Sequence, residues 1–437
     1  MVQSDQSLSE ELIYDDAGGA KWPPAGRMIL WVAGVFLLLI YSVQIFSPLR
    51  INADATDLLT LTAKLTDHEP YLLNGRRPLY PIGTPMIFSL MERMGAAHAK
   101  GFTFFNVLCL IVSAMASGVI FRSLGLVSAW GAGAMLLGFS SFVLMKHVGI
   151  PLTDIPFMAA SLGCVAVLES GRRGGMRRRI SCFVVALILL VIAVLIRRIG
   201  IALIPACIYL FRPRHFHGSR GKSIRSPAMF GIVVFAAVLL VIPLGRYLFY
   251  LPDLGGGLQG RHISQLIGRL FYVRSIDLGE VLINLPYAKL GHLHFVLPVA
   301  GVIVMALLAM GLWRARREVH AAHVYLLCYL VIMFVWPYGD NRFWLPVLPL
   351  LAGVLLQGIE PVLEQKICLR IVIAYAVFYA AMFLIAGIYT TRITFSKNFP
   401  EVYAGGQSAN DYRQAWSGGP ADTETARVIR RYGMRGN

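Results

Sequence analysis

The chain has 437 residues, 57% of them hydrophobic and 14% charged, with a mean hydropathy of +0.65. A soluble globular domain carries roughly 25% charged and 45–50% apolar residues, so a soluble enzyme, a disordered chain and a collagen-like fibre are excluded. Lys and Arg number 40 against 23 Asp and Glu, a net charge of +17. In a membrane protein such an excess holds loops on the cytoplasmic side, and no nucleic-acid partner is expected.

Residues 1–27 read as a cytoplasmic N-terminal tail with an acidic flank. A bilayer core about 30 Å thick needs roughly 20 apolar residues per helix. Such runs occur near 28–46, 102–124, 126–145, 151–169, 180–196, 199–211, 228–249, 293–313, 321–336, 343–358 and 369–389, which makes about eleven spans. The first is too long for the apolar region of a signal peptide, and no small-x-small cleavage site follows it. The fold class is therefore all-α, a polytopic membrane protein. The six cysteines lie in or beside apolar runs without C-x-x-C spacing, and read as small buried hydrophobes. The run F-H-G-S-R-G-K-S at 216–223 ends like a phosphate-binding loop, but Phe216 stands where the first glycine is needed and no strand precedes it.

Orientation comes from three basic loops: S-G-R-R-G-G-M-R-R-R at 170–179, the stretch 212–226, and Arg314, Arg316 and Arg317. With eleven spans and the N-terminus inside, all three are cytoplasmic. The segments 47–101, 250–292 and 337–342 and the tail 391–437 then lie outside. The two long segments exceed ordinary connectors. The tail is expected to be a cap or a loose extension, with one short helix over 421–432.

The outer segments hold the unusual residues. Asp54 and Asp57 stand three apart in N-A-D-A-T-D-L-L, on one face of a helix. Arg76, Arg77 and Tyr80 lie in N-G-R-R-P-L-Y-P, followed by an amphipathic run over 86–94 that suits a helix in the interface plane. Similar interface helices are expected around 60–70 and 262–275. Asp154 stands in T-D-I-P-F at the mouth of the fourth span, Arg197 and Arg198 in I-R-R-I-G, and Tyr338, Asp340 and Arg342 in W-P-Y-G-D-N-R-F-W. A charge facing lipid near a span costs several kcal/mol, so such residues suggest a functional site; the alternative is that each sits at a headgroup-level helix end. Trp336, Tyr338, Phe343 and Trp344 read as an interfacial aromatic belt.

The order of these features is R-P-L-Y-P, T-D-I-P-F, R-I-G-I-A-L-I-P and R-F-W-L-P-V-L-P after an outer loop opening with an Asp. It resembles the GT-C class of integral-membrane glycosyltransferases over roughly residues 28–358, closest to the bacterial branch similar to protein mannosyltransferases and the aminoarabinose lipid A transferase. Where the family has an Asp-Glu pair, this chain has Asp54 and Ala55, with the next acid at Asp57. The resemblance implies a transmembrane catalytic region over 28–390 of a multi-pass inner (plasma) membrane protein. It also implies a polyprenyl-phosphate-linked sugar as donor. The acceptor would be a hydroxyl of a lipid, glycan or protein, and membrane lipids would surround the site.

The residues suit that chemistry. Asp54 is the expected base, with Asp57 or Asp154 assisting. Arginine forks match phosphate oxygens, which nominates Arg76, Arg77, Arg197, Arg198, Arg342, Arg261, Arg269, Arg274 and Lys289 for the leaving phosphate. Tyr80, Tyr338 and Asp340 are expected to touch substrate. Asp54 and Asp154 are the pair that would hold a divalent cation such as Mg or Mn through oxygen ligands. A single displacement at the periplasmic face would invert the anomeric centre. The rival class is a transporter or flippase of a lipid-linked or anionic substrate; transporters commonly show paired halves with broken helices at the midplane, and no two halves of this sequence match.

Overall fold

The computed structural model describes residues 24–78, 80–126, 129–172, 175–210, 263–316, 318–336, 339–359, 365–404, 406–417 and 421–434. The expected span 228–249 and the candidates Arg261 and Tyr338 lie outside these, as does the side chain of Arg269. In chain order the helices are α1 Pro24–Val43, α2 Ala53–Thr66, α3 Gly83–Arg93, α4 Ala99–Ser123, α5 Ala129–Phe139, α6 Phe142–His147, α7 Asp154–Arg172, α8 Met176–Ile196 and α9 Ile204–Leu210. There follow α10 Ile263–Ile283, α11 Val296–Ala315, α12 Ala321–Val335, α13 Leu348–Ile359 and α14 Gln365–Thr394, and in the tail α15 Phe399–Tyr403, α16 Gly406–Ser417 and α17 Glu424–Gly433. Among the described residues there is no strand, only one bridged pair at Leu73 and Arg76.

Six stretches among the described residues are long and apolar enough to cross a membrane: Ala99–Ser123, Asp154–Arg172, Met176–Ile196, Gly291–Ala315, Asn341–Ile359 and Ile373–Thr394. Their burial sorts them. Asp154–Arg172 and Asn341–Ile359 bury 78% of an apolar window and form the centre, whereas Met176–Ile196 buries 17% and presents Ile188, Val191 and Leu195 outward. The apolar faces of α4, α8, α11 and α14 thus replace a polar surface, as a bilayer requires.

Several expected spans are not single α-helices. The run 126–145 breaks at Ser140 and Ser141 into α5 and α6. A break inside hydrocarbon frees backbone groups that need partners. Asn284 supplies them: its Oδ1 accepts the Phe142 N–H at 2.7 Å, and its Nδ2 donates to the carbonyls of Ser140 and Tyr379 at 2.9 Å each. Asn284 is buried with φ +58°, a conformation asparagine tolerates better than most residues. The run 199–211 is a 3-10 turn, Arg198–Leu203, followed by α9.

Of the expected interface helix 262–275, residues 263–275 belong to α10, which packs closely along α11. At this crossing a Cβ on Gly279 would lie 2.1 Å from the Leu297 carbonyl oxygen, and one on Gly301 would lie 1.8 Å from that of Ser275. Small residues at such a crossing let two backbones touch. By contrast α3 does keep an outward apolar stripe, Met86, Leu90 and Met94.

The tail is a cap. Helices α15 to α17 close a second hydrophobic core over α2 and α3, containing Leu58, Leu59, Phe88, Phe102, Phe399, Tyr412, Ile429 and Tyr432. Arg431 ties it down, with Nη1 and Nη2 on the Asp67 carboxylate at 2.6 and 2.8 Å and Nε on Glu92 at 2.8 Å. Buried Arg50 ties the stretch before α2 to the bundle, donating to Gln44 Oε1, the Thr390 carbonyl and Thr394 Oγ1 at 3.2, 3.0 and 2.8 Å. Replacing Arg431 by Met removes the cation that pairs with Asp67 and the nearly buried Glu92, a loss of about 1–3 kcal/mol. Limited proteolysis should then release residues 399–434 faster than from the parent while the spans stay intact.

Candidate active site

Asp54 sits in the first turn of α2. The turn is set by Asn52, whose side chain accepts the Ala55 N–H at 2.9 Å, and a helix N-terminus favours a carboxylate. Asp54 pairs with Arg342 through Oδ2 and accepts the Tyr80 hydroxyl through Oδ1. Arg342 comes from a 3-10 segment, Asn341–Val347, capped by Asp340, whose carboxylate accepts the Arg342 N–H at 3.0 Å and lies 3.0 Å from Arg342 Nε. On the far side, buried Asp154, the first residue of α7, pairs with Arg197 at the C-cap of α8. The ring of Phe343 joins the two pairs: the Arg342 and Arg197 guanidinium carbons lie 5.1 and 5.3 Å from its centroid. Tyr80, Asp54, Arg342, Phe343, Arg197 and Asp154 therefore form one unbroken chain of contacts, drawn from five separated stretches of sequence.

Asp154 opens α7 and Arg172 closes it, so the cluster and Arg172 are separated by a 19-residue helix, about 28 Å long. At that far end Arg172 Nη2 lies 3.3 Å from Glu318, which brings the loops beginning at 170 and 314 together. The acid–arginine cluster and two of the basic loops are thus at opposite ends of the bundle.

The remaining candidates fall around this chain or away from it. Asp57 lies one turn beyond Asp54 on α2, half-buried; burial first, then the charges of Asp54 and Glu424, raise its carboxyl from 3.8 to about 6. Burial and the bond to Asp54 push the Tyr80 phenol well up. Arg198 faces Tyr71, whose phenol burial raises and Arg198 lowers. Arg76 and Arg77 are exposed beside a two-residue turn, Asn74 (φ +49°) and Gly75 (φ +74°), closed by Leu73–Arg76 bonds of 2.8 and 2.9 Å. Lys289 lies over the Tyr389 ring at 5.4 Å and is not brought to the cluster.

Three readings of the sequence need correction. Arg274 is buried and engaged, with Asp277 at 2.6 Å and the Trp336 carbonyl, just past the end of α12, at 2.8 Å. Phe343 and Trp344 are buried inside the bundle, since the 3-10 segment turns inward; they form no interfacial belt. Asp54 and Asp154 each face a guanidinium, so as arranged they do not fit a shared cation, and among the described residues no group of three or more His, Cys, Asp or Glu forms a metal site.

Sequence reasoning missed Tyr71 and Glu280. The Tyr71 hydroxyl donates to the carbonyls of Tyr80 and Pro81 at 3.1 and 3.3 Å, holding Tyr80 against Asp54. Its signal was present, because Asn-Gly is a strong mark of a tight hairpin that brings its flanks together. Glu280 accepts the Asn341 side-chain amide at 2.8 Å next to Arg342; no local pattern announces a contact across 61 residues.

No family model matches the chain, and no curated protein matches it. Among solved structures it is similar to the oligosaccharyltransferase AglB of Archaeoglobus fulgidus, in complex with an inhibitory peptide and a dolichol-phosphate, at 14% identity and a TM-score of 0.49, over 95% of this chain and 60% of that one. It is similar to ArnT of Cupriavidus metallidurans, bound to undecaprenyl phosphate, at 14% identity and a TM-score of 0.49, over 94% of this chain and 86% of that one. The chain thus spans about 60% of the length of the archaeal enzyme it matches.

Asp57 yields a pH test. Its folded carboxyl keeps a proton between pH 3.8 and about 6 that the unfolded chain releases. Its contribution to stability therefore falls as pH rises through that window. Asp57→Asn should flatten that part of the thermal-unfolding profile between pH 4 and 6; an unchanged slope would assign the effect to another group.

Proposed function

We propose that this protein is a membrane glycosyltransferase that moves a sugar from a polyprenyl-phosphate donor to a hydroxyl of a lipid, glycan or protein. The reaction takes place at the extracytoplasmic face of the plasma membrane. The observation that carries the reading is the chain of two carboxylate–guanidinium pairs around Phe343, at the end of the bundle away from Arg172 and Glu318. The positive-inside bias puts the basic end in the cytoplasm.

The chemistry follows from what each side chain offers. The bond between the anomeric carbon and the donor phosphate oxygen breaks, and a bond from that carbon to the acceptor oxygen forms on the opposite face. The acceptor proton passes to Asp54. The departing lipid phosphate gains one negative charge, which Arg342 and Arg197 hold; preorganised donors of this kind commonly supply the largest single share of catalysis. A phosphate arriving between the pairs competes for both guanidiniums and so loosens Asp54 to act as base. Tyr80 orients that carboxylate, and Arg198 lies next to the Tyr71 loop as a second phosphate ligand. No step is routed through a metal ion. The charges gather at one rim rather than at mid-span, which disfavours a transporter with a midplane site.

Asp54→Asn should reduce transfer by about 10²–10⁴-fold, the usual worth of a general base, with donor binding nearly unchanged. Near-normal turnover in that variant would remove Asp54 from the role. Arg342→Ala and Arg198→Ala should instead weaken donor binding, read as a higher donor KM. Mass spectrometry of lipids and surface glycans from cells with the parent, with Asp54→Asn and without the protein tests the whole reading. A glycan difference that tracks the parent alone supports it, and identical profiles in all three overturn it.

A further inference from the structure

At the end of the bundle opposite Asp54, a cavity of about 420 Å³ opens between the last turns of α11 and α13 and the start of α12. Its floor is polar and buried. His320 and His323 meet edge to face, ring centroids 5.5 Å apart. His323 Nδ1 accepts the His320 N–H at 3.2 Å, so its Nε2 carries the proton and donates to Gln357 Oε1 at 3.3 Å. The rim is cationic. Arg314 Nη1 donates to the Gln357 carbonyl at 3.2 Å, and the Arg316 guanidinium lies 3.5 Å from the centroid of the Trp313 ring. One carboxylate, Glu318, also stands on the rim. It is 3.3 Å from Arg172 and 3.4 Å from His320 Nε2 and remains largely exposed, so its charge opposes an anion at the opening.

We infer that this cavity binds the phosphate headgroup of an anionic membrane phospholipid, at a site separate from the donor's. Two guanidinium forks at one opening match phosphate oxygens, and basic pockets between spanning helices on the basic side are suited to such headgroups. A free phosphate would have the same charge, but the surroundings favour a lipid. Trp313 is 63% exposed, and from it an outward stripe runs down α11 through Met310, Ile303 and Val299. These positions recur at three to seven residues on one helical face. An acyl chain would lie along this stripe, starting at the depth where Arg316 is held over the indole.

The test uses the full chain reconstituted in phosphatidylcholine with and without phosphatidylglycerol, with retained lipid counted by native mass spectrometry. Phosphatidylglycerol should be retained in preference to phosphatidylcholine. The double variant Arg314→Ala, Arg316→Ala should weaken that retention about 30-fold, from two interfacial cations at their usual worth. Glu318→Gln, which removes no cation, should strengthen it. Equal retention of the two lipids overturns the assignment, as does unchanged retention in the double variant or in Glu318→Gln. Displacement of phosphatidylglycerol by inorganic phosphate alone would make it a free-phosphate site and overturn the lipid reading.

Discussion

Ionised groups at the edge of a low-dielectric bundle must neutralise one another, and this requirement organises the candidate site. Each buried ion loses several kcal/mol of hydration, which a partner recovers only with good geometry. Asp154 is buried, and Arg197 answers it; Asp54 is answered by Arg342. Removing either guanidinium would leave a carboxylate unpaired.

Such precision needs support from outside the cluster. Arg342 sits on a short 3-10 segment, which has little stiffness of its own. α10 supplies it. Its buried face presents Arg274 to the Trp336 carbonyl and Glu280 to Asn341, and the close α10–α11 crossing at Gly279 and Gly301 fixes the height of that face. On the other side, Asp54 rides on α2, which the tail clamps through Arg431 and Tyr432. Both halves of the Asp54–Arg342 pair are thus held by elements that contribute no group to it.

The sequence made the broad architecture legible because apolar length acts locally: six of the expected spans could be read from single windows. Interruptions could not. Nothing around Ser140 says that an asparagine 144 residues later will satisfy its carbonyl, and hydropathy alone runs straight through the break. The aromatic belt failed for a related reason. Phe343 and Trp344 have interfacial composition, but the inward turn of the Asp340-capped segment decides their place. Arg76, Arg77 and Lys289 carry the right charge for phosphate, yet charge type cannot tell an exposed hairpin or a helix-end contact with Tyr389 from a place in the cluster.

The cap is coupled to the site by charge as well as by packing. Glu424, in the first turn of α17, adds to the field that raises Asp57, and Asp57 in turn shares that field with Asp54 one turn away. Desolvation is the larger cause, and it too depends on the cap, because the cap's core covers the α2 face beside Asp57. Losing the tail would therefore do more than expose apolar surface. It would return Asp57 toward an ordinary carboxyl, so that between pH 3.8 and about 6 Asp57 would be more fully ionised beside Asp54, altering there the balance of charge that Arg342 must answer. The tail acts as part of the electrostatic frame of the site even though its own side chains stand outside the chain of contacts from Tyr80 to Asp154.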